Sequence, residues 1–500
     1  MIGGLVTKIT HTLLFTRLKA LLNRDSHIVK WVFRSPPKPH AFVGFPVQSG
    51  VIYHLGEDVN KPNPVLKSGK GKYLYTKDDR KIFDASGGAA VSCLGHGNTR
   101  IIHKISGVGR LGISYASSTF FSNDISEALC KELILSTNEA MRMCYLTGSG
   151  SEANESAIKM ACSYHFLKNG NTSRHILISR SRSYHGTTIG TLSISGFASR
   201  KEPYLPLCMK DVYFVSPCYP YRQREKGELD DAFNARKAAE LEALILKLGP
   251  EKVSAFIAEP VVGAALGCVP FVPGYLKAMK DVCHKYGVLF IVDEVMCGTG
   301  RTGVLHAWQA ESDFTPDIQT MGKGLGAGYQ PIGAMMISKD IFNVLSKSGQ
   351  FVHGHTFEGM PVQAVAALEV LSIIKEKNLL LNVNKKGLYL EQRLRSILGD
   401  HPHVGDIRGK GLLWGIEFVK NKSTKEPFNS ELNVSLKLQE LALSAPFNMM
   451  IYQSSGCVDH KRGDVIMLAP SFTVTKKDID HIVDVLSKVI KKTFDNIDTR

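Results

Sequence analysis

The stretch from Val253 to Val295 constrains the fold more than any other part of the chain. Two apolar runs, VSAFIA and VLFIVDEV, flank GYLKAMKDVCHKYG, whose apolar spacing predicts an amphipathic helix. Strands that are apolar throughout are typical of a parallel sheet covered on both faces, and such strand–helix–strand connections are right-handed. Both strands then end at one edge of the sheet, where open α/β sheets bind ligands. We expect Glu259 and Asp293, near these ends, to face one crevice.

A Gly/Ser turn in TGSGSEANE (147–155) lies between a predicted strand and a predicted helix. Gly148 and Gly150 would let the backbone approach an anion, and the amide groups near Ser151, at the start of the helix, suit a phosphate group. Turns of this composition also precede many helices that bind nothing, so the motif alone leaves both interpretations open.

Polar residues occur at the ends of two other predicted strands. Asp293 closes a buried strand and needs a partner, which could be a protonated ring nitrogen of a cofactor or the guanidinium of Arg301. Tyr184 or His185, in SYHG, could stack on a flat ring or could simply pack in the core.

Lys323 lies in QTMGKGLGAGY, among glycines and apolar residues. Desolvation lowers the pKa of a lysine, and its free amine forms imines with carbonyl groups. A Walker-type loop is disfavoured because no Ser or Thr follows GKG. A Rossmann fingerprint is disfavoured because the glycines come before the apolar strand.

The order of these features resembles that of the class-III aminotransferases, which are pyridoxal-phosphate enzymes of fold type I. The similarity extends from about residue 55 to residue 490. The motifs that carry it are FDASGGAAVSCLGHGNTRI, TGSGSEANE, YHGTT, EPVVG, VDEVMCGTGRTG, MGKGLGAGYQPIGAM and HGHTFEGMPVQAVAALEVL. The resemblance implies an α/β fold, with a large domain built on a mostly parallel central sheet and a smaller α+β C-terminal domain.

The resemblance also implies roles for individual residues. Lys323 would hold pyridoxal 5′-phosphate as a Schiff base and move a proton, and Asp293 would keep the ring nitrogen protonated so that the ring acts as an electron sink. Tyr184 and Val295 would cover opposite faces of the ring. Thr356 would reach the phosphate in the neighbouring subunit, which implies a homodimer. The residues implied to contact the cofactor are Gly150, Ser151, Tyr184, His185, Glu259, Asp293, Val295, Lys323 and Thr356.

Two positions depart from the ornithine and 4-aminobutyrate aminotransferases. The residue after Val295, often Gln in those enzymes, is Met296 here. Met467 stands where we expect the arginine that binds a substrate carboxylate in those enzymes. The chain is therefore more similar to the omega-aminotransferase branch, which acts on amines or omega-amino acids.

We predict a pyridoxal-phosphate-dependent aminotransferase, with Lys323 and Asp293 as catalytic residues. It would move an amino group from an amine or (omega-)amino acid to a 2-oxo acid by a ping-pong mechanism. A lyase or decarboxylase on the same fold is the alternative, because the cofactor permits several bond cleavages and the pocket selects one. The presence of Lys323, Asp293 and Tyr184 disfavours a non-catalytic protein that keeps the fold for assembly.

Four segments are expected along the chain. They are a basic N-terminal extension (1–45), an N-terminal segment that packs with the small domain (46–85), the large cofactor-binding domain (86–345) and the small C-terminal domain (346–500).

The first 45 residues hold seven Lys or Arg and one acidic residue, Asp25, and LLFTRLKALLNR can form a basic amphipathic helix. This composition is typical of a mitochondrial transit peptide, so we predict a location in the mitochondrial matrix, with a cytoplasmic location as the alternative.

Other partners are disfavoured by the composition. The net charge of +15 is spread along the chain without a nucleic-acid-binding motif, and no apolar run is long enough to span a membrane. The ten cysteines show no zinc-binding spacing, and no metal site is expected, the HGH at 353–355 included.

Overall fold

The computed structural model describes residues 63–497, so the predictions for residues 1–45 lie outside the described residues. The strands are β1 Leu66–Lys70, β2 Tyr73–Thr76, β3 Lys81–Asp84, β4 Met141–Thr147, β5 Ile176–Arg180, β6 Val212–Val215, β7 Val253–Ala258, β8 Val261–Val262, β9 Val269–Pro270, β10 Leu289–Glu294, β11 Ile318–Met321, β12 Gly333–Ser338, β13 Val404–Lys410, β14 Leu413–Phe418, β15 Met449–Met450, β16 Tyr452–Ser455 and β17 Asp464–Leu468. The α-helices are α1 Gly87–Ala90, α2 Thr99–Val108, α3 Asp124–Ser136, α4 Gly150–Asn169, α5 Ile189–Ile194, α6 Ala198–Lys201, α7 Pro220–Gln223, α8 Asp230–Leu248, α9 Tyr275–Lys285, α10 Lys339–Ser348, α11 Pro361–Glu376, α12 Leu379–Leu398, α13 Val434–Leu443 and α14 Lys476–Asp495.

A seven-stranded sheet within residues 63–497 has the order β4-β12-β11-β10-β7-β5-β6. In this order, β11, β10, β7, β5 and β6 each pair in parallel with the next strand. Strand β12 is antiparallel to both of its neighbours, β11 and β4. The predicted α/β fold with a mostly parallel central sheet is confirmed. Because β12 alone is reversed, β4 runs in the same direction as the parallel strands. The C-terminal ends of β4, β5, β7, β10 and β11 therefore lie along one edge.

The strand–helix–strand unit forms as the sequence predicts. All six residues of β7 and all six of β10 are buried, and the two strands pair in parallel with Val292 beside Ala258. The connecting helix α9 buries Leu276, Met279 and Cys283 on one side. Burying an apolar side chain of this size contributes about 1.5–3 kcal/mol.

Helix α4 follows β4 and begins at the Gly/Ser turn. The Ser149 side chain accepts a hydrogen bond from the Glu152 amide (3.1 Å), and the Glu152 carboxylate accepts one from the Gly148 amide (2.6 Å). These two bonds satisfy amide groups that the helix itself leaves unpaired, which fixes where the helix starts. Ala153, Ala157, Met160 and Ala161 are buried on one face of the helix, and Tyr164 on the same face is partly buried.

Smaller sheets flank the central one. Strands β2 and β3 form a hairpin, and β3 then pairs in parallel with β15, with Phe83 beside Met449. A four-stranded antiparallel sheet, in the order β13-β14-β17-β16, precedes the terminal helix α14. Thr475 and Asp478 form a capping box at the start of that helix, which buries an apolar stripe that includes Ile479, Ile482 and Leu486. In the described part of the chain, no helix has the length and apolar character needed to cross a bilayer.

Candidate active site

The shared edge of the central sheet gathers most of the residues singled out in the sequence. They are Gly150 and Ser151 after β4, Tyr184 and His185 after β5, Glu259 after β7, Asp293 and Val295 at the end of β10, and Lys323 after β11. The expected proximity of Glu259 and Asp293 follows from the pairing of β7 with β10.

Asp293 is 3% exposed and is held by hydrogen bonds from three directions. Its Oδ2 lies 2.7 Å from Nδ1 of His185 and accepts a hydrogen bond from Nδ2 of Asn154 at 2.8 Å. Its Oδ1 accepts a hydrogen bond from the Val295 amide at 2.9 Å. An ionised carboxylate offers about four acceptor positions, so these bonds leave one position on Oδ1 for a further donor.

His185 is turned into the protein and does not line the crevice as a stacking ring. It is 2% exposed, its Nε2 lies 3.2 Å from Oγ of Ser179, and its amide donates to Oγ of Ser195. Because the Asp293 carboxylate can only accept, the His185 Nδ1 carries the proton of the bond between them. His185 therefore fixes the direction of the Asp293 carboxylate.

Asn154 is a site residue that the sequence interpretation missed. It lies in the second turn of α4, is 1% exposed, and donates from Nδ2 to both Asp293 and the His185 carbonyl. Its Oδ1 accepts a hydrogen bond from Thr320, in β11, at 2.6 Å. The position of Asn154 within TGSGSEANE was the only signal, since nothing in its residue type indicates a contact to β10.

Arg301 does not pair with Asp293, so the structural ion pair considered from the sequence is wrong. Its guanidinium is buried and donates to the carbonyl groups of Pro470 (2.5 Å) and Leu412 (3.2 Å). It also lies over the ring of Phe472, with 4.6 Å between Cζ and the ring centroid.

Glu259 connects two walls of the crevice. Its Oε1 accepts a hydrogen bond from the Tyr184 amide and its Oε2 accepts one from the Gly263 amide, both at 3.0 Å. Burial raises the pKa of the Glu259 carboxyl, and the nearby Asp293 raises it further.

Lys323 is half-buried and begins a short 3-10 turn directly after Gly322. Desolvation lowers the pKa of its amine, and the negative charges of Asp293 and Glu259 partly oppose that shift. Its backbone has φ +41°, a conformation that costs a non-glycine residue about 1–3 kcal/mol. The surrounding turn thus holds this lysine in a strained position beside two carboxylates.

Val295 packs directly against the start of α4. A Cβ added to Gly150 would lie 2.5 Å from Cγ1 of Val295, and a Cβ added to Gly322 would lie 3.3 Å from Cα of Gly150. Only glycine at position 150 allows this approach. The Ser151 hydroxyl is next to it and accepts a hydrogen bond from the Thr187 amide at 3.2 Å.

The mouth of the crevice is more apolar than its base. Tyr184, Met296, Tyr452 and Met467 belong to one apolar cluster, in which Met467, in β17, is 1% exposed. The residue at position 467, where we expected an arginine in related enzymes, is thus packed as a core side chain.

Thr356 is exposed and lies in the segment 351–359, away from the strand ends that carry the other residues. The segment is tied to its own subunit by Glu358, which accepts hydrogen bonds from the Tyr145 hydroxyl and, at 2.9 Å, the His355 amide. The Nε2 of His353 lies 2.7 Å from Oγ of Ser156. Within residues 63–497, no group of three or more His, Cys, Asp or Glu side chains is arranged to hold a metal ion.

Comparison with known proteins identifies relatives along nearly the whole chain. The family model for class-III aminotransferases matches residues 56–490. An uncharacterized aminotransferase of Schizosaccharomyces pombe is 42% identical over 87% of this chain and 94% of its own length. The chloroplastic gamma aminobutyrate transaminase 3 of Solanum lycopersicum is 34% identical over 87% of this chain and 82% of its own length. The crystal structure of the omega transaminase from Pseudomonas jessenii in complex with PMP superposes with a TM-score of 0.82, at 29% identity over 89% of this chain and 97% of that one.

Proposed function

The chain belongs to the class-III aminotransferase family and is a pyridoxal-phosphate-dependent aminotransferase, and we propose that Lys323 is the residue that carries its chemistry. The reaction would move an amino group from an amine or omega-amino acid to a 2-oxo acid in two half-reactions. The observation that supports this assignment is the placement of Lys323 beside Asp293 and Glu259, with its pKa lowered by desolvation.

The residues present fit pyridoxal 5′-phosphate. The start of α4, where Gly150 and Ser151 present backbone amides, suits its phosphate, because amide groups and the helix dipole attract an anion there. Val295 and Tyr184 would cover the two ring faces. The open acceptor position on Oδ1 of Asp293 suits a protonated ring nitrogen.

When bound, the cofactor supplies an electron-withdrawing ring that makes a proton on the attached substrate carbon acidic. Lys323 would be the point of covalent attachment and, once displaced by the substrate amine, would take that proton on its Nζ and return it to the neighbouring carbon. A neutral amine is needed for this step, and desolvation of Lys323 increases the neutral fraction near pH 7.

Asp293 would hold its negative charge against the ring nitrogen. His185 and Asn154 keep the carboxylate in one orientation by donating to the same oxygen, Oδ2. We therefore assign His185 a positioning role through Asp293, in place of a ring contact. Glu259 would orient the backbone at Tyr184 by accepting a hydrogen bond from its amide.

We also propose a homodimer in which Thr356 completes the site of the neighbouring subunit. Large apolar side chains near Thr356 are exposed, among them Val352 (83%) and Phe357 (62%), and exposed apolar patches of this kind mark interaction surfaces.

Mixing the inactive Lys323→Ala subunit with a Thr356→Ala subunit tests this arrangement. In the mixed dimer one site combines wild-type Lys323 with wild-type Thr356, so cofactor affinity should recover there; no recovery would refute the shared site.

The mitochondrial location remains our proposal for the basic segment 1–45. It is supported by the composition of that segment. A fluorescent fusion of the full chain should enter mitochondria, and a fusion lacking residues 1–45 should remain in the cytosol; equal distributions of the two would refute it.

Borohydride reduction followed by peptide mapping tests the main assignment. A pyridoxyl group should be found on Lys323, and a label on another lysine would overturn the site. The unreduced holoenzyme should be screened separately against amines and omega-amino acids, with the cofactor spectrum and the products both followed. Release of CO2 without amino transfer would show a decarboxylase instead.

A further inference from the structure

Arg200 lies at the mouth of the crevice and was not singled out in the sequence. It belongs to the short helix α6 and is half-buried. Its Cζ is 4.6 Å from the ring centroid of Tyr184 and 4.9 Å from that of Phe197. The guanidinium is therefore held between two aromatic rings at the edge of the site.

Other arginines near the crevice are already engaged by the protein. Arg180 donates to the Glu259 carbonyl at 2.5 Å, and Arg182 donates to the Val458 carbonyl. Arg408 pairs with the Glu417 carboxylate at 2.6 Å. These guanidinium groups hold parts of the fold together and are not available to a ligand.

Arg200 differs from them because, among residues 63–497, its guanidinium lies against aromatic rings and neither pairs with a carboxylate nor donates to a backbone carbonyl. Aromatic faces attract a guanidinium but do not neutralise it, and they leave the N–H groups at its edge free to donate. A half-buried cation of this kind is an incomplete interaction that an anionic ligand can complete.

The positive charge of Arg200 acts on Lys323 and on Tyr184. It lowers the pKa of the Lys323 amine, after the larger effect of desolvation, and it counteracts the rise that burial causes in the pKa of Tyr184. Position 467 supplies no such charge, because Met467 is buried in the apolar cluster against which Met296 and Tyr452 pack.

We propose that Arg200 binds the carboxylate group of the 2-oxo acid and omega-amino acid substrates at the mouth of the crevice. This inference rests on the proposed aminotransferase function and names the substrate class more narrowly, as compounds that carry a carboxylate. A planar guanidinium can hold a carboxylate through two parallel N–H···O bonds, which fixes the orientation of the substrate. Arg200 would thereby replace the arginine that position 467 does not supply.

The test compares substrates with and without a carboxylate in the holoenzyme. The variants are Arg200→Met, which removes the charge at similar length, and Arg200→Lys, which keeps it. The control is Arg395→Met, because Arg395 is exposed and pairs only with Glu391 on its own helix. Half-reaction rates are measured with 4-aminobutyrate and pyruvate, which carry a carboxylate, and with 1-phenylethylamine, a donor that carries none.

In Arg200→Met, kcat/KM for the carboxylates should fall about 10- to 100-fold relative to kcat/KM for 1-phenylethylamine, the size of effect expected from losing a charge-assisted hydrogen bond. The change should appear mainly in KM, and Arg200→Lys should recover part of it. The dissociation constant of butanoate, a carboxylate that cannot react, should rise by a similar factor. Arg395→Met should leave the ratio unchanged.

Three outcomes would overturn the inference. Equal losses for substrates with and without a carboxylate would mean that Arg200 only supports Tyr184. An unchanged ratio, or a wild-type enzyme that reacts with amines but with no carboxylate substrate, would remove Arg200 from substrate binding while the proposed function stands. A wild-type holoenzyme that gives no half-reaction with any amine or amino acid donor would instead refute the proposed function.

Discussion

The base and the mouth of the crevice are built in opposite ways. We call Asn154, His185, Glu259, Asp293 and Lys323 the crevice floor, and Tyr184, Arg200, Met296, Tyr452 and Met467 the crevice rim. In the floor, the carboxylates accept hydrogen bonds from fixed protein donors. In the rim, apolar contacts dominate, and the cation of Arg200 rests on aromatic rings.

The difference follows from where the residues come from. Floor residues follow adjacent strands of one sheet or, like Asn154, lie in the helix packed on it, so their spacing is set by strand pairing. Rim residues come from the loop after β5, from the turn after β10 and from β16 and β17, which are distant in sequence. We infer that the floor determines the chemistry, which must be preorganised, and that the rim selects the substrate.

The largest effect should come from the floor lysine. Lys323→Ala should lower turnover by about 10^4-fold or more, because the covalent attachment and the proton carrier are lost together. The absorbance of the bound cofactor and the steady-state rate measure this. Lys437→Ala is the matched control, since Lys437 is exposed on α13. A Lys323→Ala enzyme with measurable normal turnover would place the chemistry on another residue.

Asp293→Asn should have the next largest effect. The substitution keeps size and shape but removes the charge, and losing one partner of a buried ionic interaction costs about 3–5 kcal/mol. Because each 1.36 kcal/mol of activation free energy changes a rate tenfold, kcat should fall about 10^2- to 10^4-fold. The cofactor should still bind, but weakly. The control is the Asp281→Asn variant, because Asp281 is an exposed aspartate that pairs with Lys277. A near wild-type rate would refute the role of Asp293.

His185→Gln should have a smaller effect, since His185 acts only through Asp293. Removing such a supporting contact typically costs about 10- to 100-fold. The loss should appear in kcat and in the absorbance of the bound cofactor, with cofactor affinity changing less. His175→Gln, at a half-exposed histidine, is the control. A change confined to thermal stability would show that His185 is structural and does not orient the carboxylate.

The sequence predicted the floor better than the rim, for physical reasons. Apolar runs predict β7 and β10, and the right-handed connection between them places Glu259 and Asp293 at one edge, whereas Lys323 is assigned to the site by the family resemblance. Side-chain direction is harder to predict: Tyr184 and His185 are neighbours, but one faces the crevice and the other faces inward. Arg200 carries no motif, and only the packing of α6 on Tyr184 brings it to the site.

The smallest effect should come from Met296, in the rim. Met296 follows Val295 and packs against Gly263 so closely that a Cβ at position 263 would overlap its sulfur. Met296→Gln keeps the length of the side chain but places an amide in the apolar cluster, so we expect a loss of about 1–2 kcal/mol in the free energy of unfolding. We expect kcat to stay within about threefold of wild type, since no rim side chain moves a proton. Denaturant unfolding and half-reaction rates measure the two effects, with Met209→Gln as an exposed control. A fall in kcat as large as that of His185→Gln would mean that the rim takes part in the chemistry, and the division between floor and rim would fail at this residue.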